Sequence, residues 1–173
     1  ENAALSPRLM NVMPGEDGYP ATIEITLPAA MTVIPFGASE AEVVAEHGDG
    51  TKTWRYETNR AGGILYAGDY VREEIQAGGL TIDFYYGRKH QAVMEAAGAA
   101  EAVLAVMDYC AGHYGSLAFG DGERLKLIQS RVAGGGYAGD GASLLDEADF
   151  TAHNLGDADK GGGAAEVMIH ELI

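Results

Sequence analysis

The chain has 173 residues, 47% of them hydrophobic and 21% charged, and a formal net charge of −15. That size and composition suit one large or two small folded domains with a real core, and exclude a disordered or low-complexity chain. The acidic balance argues against nucleic acid or anionic lipid as partner, because phosphate binding needs clustered Lys and Arg.

The first half has a period-two rhythm. Ile23, Ile25 and Leu27 alternate with Thr22, Glu24 and Thr26 until Pro28 ends the run, as in a half-buried strand. Gly48-Asp49-Gly50 predicts a hairpin turn into a strand at 52–56, with Trp54 and Tyr56 on one face. Further strands are expected over 69–75 and 80–86, joined by a turn at Gly78-Gly79. In the second of these, Ile82, Phe84 and Tyr86 share one side, and Thr81, Asp83 and Tyr85 the other. Such a run of strands predicts an antiparallel sheet layer.

Beyond Gly87 the rhythm becomes helical. Val93, Ala97, Ala100, Leu104, Met107, Ala111 and Tyr114 recur in steps of four and three, which predicts one face of a long helix ending near Gly112 and Gly115. A strand over 125–130, a glycine-rich loop over 134–141 and another strand over 142–146 are expected next. A polar, glycine-rich stretch over 154–163 then leads into a final helix. The rhythm changes near Gly87-Arg88-Lys89, which divides the chain into a β-rich 1–87 and a mixed 88–173. No flexible linker separates these halves, so they are expected to pack together.

On the final helix Ala165, Met168, Ile169 and Leu172 form the apolar stripe, and His170 and Glu171 project away from it at 100° per residue. His170-Glu171-Leu172-Ile173 spells the first four residues of H-E-x-x-H, which sets two histidines on one helix face to hold zinc, with the glutamate as base. A surface His-Glu pair on an ordinary amphipathic helix has the same sequence, and the dipeptide alone favours that plainer reading. The order of strands, long helix, strand, glycine-rich stretch, strand and His-Glu helix supports the metal reading instead.

In that order, and in Asp49-Gly50-Thr51-Lys52-Thr53-Trp54, the stretch 125–149 and Val167-Met168-Ile169-His170-Glu171-Leu172, the chain resembles the aminopeptidase N-like gluzincin zinc metallopeptidases. The resemblance implies an α+β fold: the end of an N-terminal β domain over 1–87, then the start of a thermolysin-like catalytic domain over 88–173. It implies a longer parent protein cut inside its active-site helix, with zinc as the parent's cofactor and a peptide as its substrate. His170 would be the first zinc ligand and Glu171 the general base. The remaining ligands would lie past Ile173, so the chain by itself is expected to bind zinc poorly and to be inactive.

Members of that family carry a G-A-M-E-N loop whose glutamate grips the substrate's free amine. The matching stretch here is Gly135-Gly136-Tyr137-Ala138-Gly139, which makes Gly135, Gly136, Tyr137 and Ala138 the expected substrate-binding residues. Ala138 stands where the carboxylate belongs, and a methyl group cannot pair with an ammonium, so strict aminopeptidase specificity is not expected. Asp140 and Glu147 are the nearby acids. Gly134, Gly136 and Gly139 also fit G-x-G-x-x-G, but a dinucleotide loop must open a helix and this one leads into a strand; a flexible hairpin connection is the plainer alternative to a substrate loop.

The other candidates have plain readings. His47, His90 and His113 are expected to be solvated, His153 has no fixed relation to His170, and Ser116 and Ser143 lack a nucleophile elbow. Met94 and Met107 fit core packing, and Asp146, Glu147 and Asp149 a solvent-facing strand edge without calcium-loop spacing. Cys110 is the sole cysteine and excludes an internal disulfide. No apolar run reaches the roughly 18 residues of a transmembrane helix, and the first twenty residues lack a leader pattern. Compartment is not fixed by these features, and an extracytoplasmic parent is compatible with them. Loss of covering helices at Ile173 predicts a homo-oligomer formed through exposed apolar surface. Two other functions fit the same residues: a non-enzymatic peptide-binding or scaffold member of the fold, and an unrelated β-rich interaction domain.

Overall fold

The computed structural model describes residues 3–5, 20–37, 39–58, 65–77, 79–115, 124–131, 136–139, 141–147 and 169–170. It is a mixed α+β structure that divides into two compact units, Glu1–Asp69 and Tyr70–Ile173.

Among its described residues the first unit holds two three-stranded antiparallel sheets. β2 (Ala21–Pro28) pairs with β5 (Thr51–Thr58), which pairs with β4 (Glu42–Glu46). β1 (Ala3–Leu5) and β3 (Thr32–Pro35) flank β6 (Leu65–Gly68). Alternation in β2 works as the sequence predicts. Ile23, Ile25 and Leu27 pack, with Trp54, against a small core of Val33, Tyr56, Leu65 and Ala67. The opposite face is a polar ladder, with a Thr26–Thr53 hydroxyl pair at 2.8 Å and an Arg55–Glu24 ion pair at 2.6 Å. At the hairpin turn Asp49 Oδ1 accepts from the Thr51 amide and hydroxyl, and Gly50 takes the left-handed φ of +83° that the turn requires.

Among its described residues the second unit is built on a five-stranded mixed sheet in the order β10-β11-β9-β8-β7. β7 (Tyr70–Ala77) and β8 (Leu80–Gly87) form a hairpin through Gly79. A single 3-10 turn, Arg88–His90, then leads into α1 (Gln91–Ala96) and α2 (Ala99–Tyr114), and the chain returns as β9 (Arg124–Ser130), parallel to β8. β10 (Gly136–Gly139) and β11 (Ala142–Asp146) form a hairpin whose second strand lies parallel to β9. One sheet face, carrying Ile82, Phe84, Tyr86, Leu125, Leu127 and Leu145, buries against Met94, Ala99, Val103, Val106, Met107 and Cys110 of the helices. On the other face Asp83 is fully buried and accepts from Arg72 at 2.7 Å and Arg124 at 2.5 Å, and Arg124 also reaches Glu74 at 3.2 Å.

Three sequence expectations are corrected. The single long helix is two, because Gly98 adopts φ +68° and breaks the helical phase between α1 and α2. The buried face is also different: Val93, Leu104 and Tyr114 are 45%, 38% and 57% exposed, whereas Val103, Met107 and Cys110 are fully buried. Once Gly98 resets the phase, the stripe at 99, 103, 106, 107 and 110 meets the aromatic face of the sheet, and the larger Leu104 falls on its flank. The glycine-rich stretch is partly strand, since residues 136–139 pair with 142–145, and Gly141 (φ +80°) supplies the turn. The two compact units meet at Asp69–Tyr70, and β8 pairs in parallel with β9 inside the second of them.

Candidate functional site

Ile169 and His170 are helical, as the final stripe predicts. Ile169 is half-buried and packs on the core of the second unit, while His170 is exposed. Adjacent residues on a helix point about 100° apart, so anchoring one apolar side chain turns its neighbour outward. Glu171 lies outside the described residues, as do Gly135, Asp140, Asp149, His153 and Ser116.

Of the expected substrate residues, Gly136, Tyr137 and Ala138 are in β10, where they sit opposite Leu145, Leu144 and Ser143. Ala138 is half-buried. Among the described residues β10 is the edge of the sheet, so one side of its backbone is not engaged by a neighbouring strand. The G-x-G-x-x-G stretch runs into β11 rather than into a helix, which excludes the dinucleotide geometry. Ser143 is fully buried, and its hydroxyl has no hydrogen-bond partner among the described residues.

No group of three or more His, Cys, Asp or Glu capable of holding a metal occurs among the described residues. His170 is the one described member of the zinc motif. A catalytic zinc takes three protein ligands, so the described donors do not by themselves fit the ion.

The histidines divide differently from expectation. His47 Nε2 lies 2.8 Å from Thr53 Oγ1 on the exposed sheet, and His113 Nδ1 donates to the Tyr109 carbonyl at 2.9 Å. Both fit a surface role. His90 does not: its ring is bracketed by Gln129 Oε1 at 3.1 Å and Glu147 Oε1 at 3.2 Å, and Lys89 Nζ shares that Glu147 oxygen at 2.5 Å. Glu147 is correspondingly only 19% exposed at its side chain, and not the solvent-facing acid that its sequence suggests. Sequence carries no signal for this cluster, because parallel pairing of β8, β9 and β11 alone brings residues 90, 129 and 147 together.

Neither a protein-family model nor a curated protein matches the chain. Its fold is similar to solved M1 zinc metallopeptidases. One, from Deinococcus radiodurans, is 16% identical with a TM-score of 0.48, over 87% of this chain and 32% of its own. A two-domain M1 zinc metallopeptidase mutant bound to L-arginine is 15% identical with a TM-score of 0.46, over 87% and 33%. The chain therefore spans about a third of the length of these structures.

Proposed function

We propose that the chain is part of a zinc-dependent peptidase of the gluzincin kind, with His170 a metal ligand and Glu171 the general base. One observation carries the reading: Ile169 is anchored on the core while His170 faces outward, as a ligand-bearing helix needs. Glu171, the next residue in the motif, would accept a proton from the attacking water and pass it to the leaving amine. The zinc, when bound in the whole protein, supplies Lewis acidity at that site. Gly136, Tyr137 and Ala138 would bind the substrate through backbone groups along the β10 edge, as an added strand does.

In the whole protein, Glu171→Gln should leave zinc content nearly unchanged and lower peptidase turnover by ~10²–10⁴-fold. Normal kinetics in that variant would remove Glu171 from the mechanism. A second reading, a peptide-binding member of the fold without catalysis, is favoured by Ala138, which offers the β10 edge no carboxylate for a free amine. Peptide binding by the whole protein, with no chelator-sensitive turnover, would select it.

A further inference from the structure

Three segments meet at the carboxyl ends of the parallel strands: the turn after β8, the end of β9 and the end of β11. The orientation of the Gln129 amide is fixed at this point, because Gly87 N–H donates to Oε1 at 2.9 Å. Reversing the amide would set NH₂ against N–H. Gln129 is 1% exposed and its Nε2 has no partner among the described residues, so it is the Gly87 bond that sets the orientation. The same Oε1 lies 3.1 Å from His90 Nδ1, a contact that is attractive only with a proton on Nδ1. At the far side of the ring, Nε2 faces Glu147 Oε1 at 3.2 Å, and an ionised carboxylate only accepts. A neutral imidazole carries one N–H and can satisfy one of these two oxygens. The imidazolium satisfies both.

We propose that His90 is a two-proton clasp that ties the start of the crossover helices to β9 through Gln129 and to β11 through Glu147, and that opens on one strand when a ring proton is lost. The surrounding charges act in opposite directions. Glu147, just past β11, faces the ring with its negative charge, and Lys89, on the same turn as His90, meets the same carboxylate oxygen with a positive one. Arg88 is turned to the Tyr70 carbonyl at 3.4 Å, and Tyr70 in turn donates its hydroxyl to the Gln129 carbonyl at 3.0 Å. Asp146 alternates to the opposite face of the sheet from Leu145 and Glu147. The clasp closes at lower pH and releases the turn as pH rises.

Histidine-ring and amide NMR of the full 173-residue chain tests this, with the His90 ring assigned by its absence in His90→Gln. The expected result is one shared transition in which the His90 ring nitrogens, the Gly87 amide and the Gln129 side-chain amide move together. Glu147→Gln, which removes the charged acceptor on the β11 side, should move the midpoint down, and Lys89→Met should move it up. Lys89 is 56% exposed at its side chain, so its variant keeps the test open if Glu147→Gln does not fold. Gly87 and Gln129 resonances that stay fixed while His90 titrates would overturn the clasp. So would an unchanged midpoint in both variants that fold, or in Lys89→Met alone if only it folds.

Discussion

Asp83 shows how one residue's environment sets its worth. Its carboxylate is fully buried, yet both guanidiniums that hold it are nearly half-exposed, at 46% and 41%. Asp83→Ala would leave two cations that water can still solvate, so the loss should be about 2–3 kcal/mol, less than for stranding a buried charge. Denaturant melts measure it. Arg55→Met, whose Glu24 partner stands on the exposed sheet face, should leave the melt unchanged. Tyr56 carries a pH dependence of definite sign. Burial pushes its phenol from 10.0 to about 12. Below the ordinary value both folded and unfolded chains keep the proton, and its contribution is fully present. Between about 10 and 12 only the unfolded chain ionises, so stability falls across that window by about 2–3 kcal/mol. Burial and the bond to Glu73 raise Tyr86 as well, in the same direction. Stability measured from pH 9 to 12 should decline less steeply in Tyr56→Phe; an identical slope would mean that the phenol stays solvated.

At the scale of elements, α2 decides between two apolar stripes that share Met107. Met107→Ala should cost about 2–5 kcal/mol, as truncation in a packed core does, whereas Leu104→Ala should cost under about 1 kcal/mol. Equal losses would restore the stripe that the sequence suggests. Gly98 separates α1 from α2. Its φ of +68° ends α1, and an added Cβ would also stand 3.3 Å from Glu101 Oε2. Gly98→Ala is expected to cost about 1 kcal/mol by thermal or denaturant melting, with Gly98→Asn milder because asparagine tolerates the left-handed region. Strands were legible where the side chains alternate, as in β2, β5 and β8. β3 and β6 were not, since each has four residues and β6 is buried throughout, leaving no period to detect. β10 was hidden for another reason: two of its four residues are glycine, and only the ladder with β11 makes it a strand.

For the whole molecule, the proposed peptidase chemistry makes a prediction about substrate choice. Ala138, in the β10 edge, offers no carboxylate to grip a free α-amine. The whole protein should then cleave N-terminally blocked and free peptides at similar rates. A strong preference for free amines in a matched series would assign that role to another acid, with Asp140 the first to replace. Glu147 is a poorer candidate than its sequence position implies, because Lys89 and His90 already hold it.

The outward placement of His170 was readable from the 165, 168, 169, 172 spacing alone, because helical geometry fixes the angle between adjacent side chains. The packing of Ile169 agrees with that reading. The sequence likewise determined the half-buried β2, the turn at Asp49-Gly50 and the core role of Met94 and Met107, since each depends on local period, turn chemistry or hydrophobicity. Tertiary structure decided which face of α2 is buried, and that His90, Gln129 and Glu147 form one cluster. Those outcomes depend on the parallel pairing of β8, β9 and β11, whose partners are distant in sequence. No local pattern in a chain encodes which distant strand will supply its hydrogen bonds.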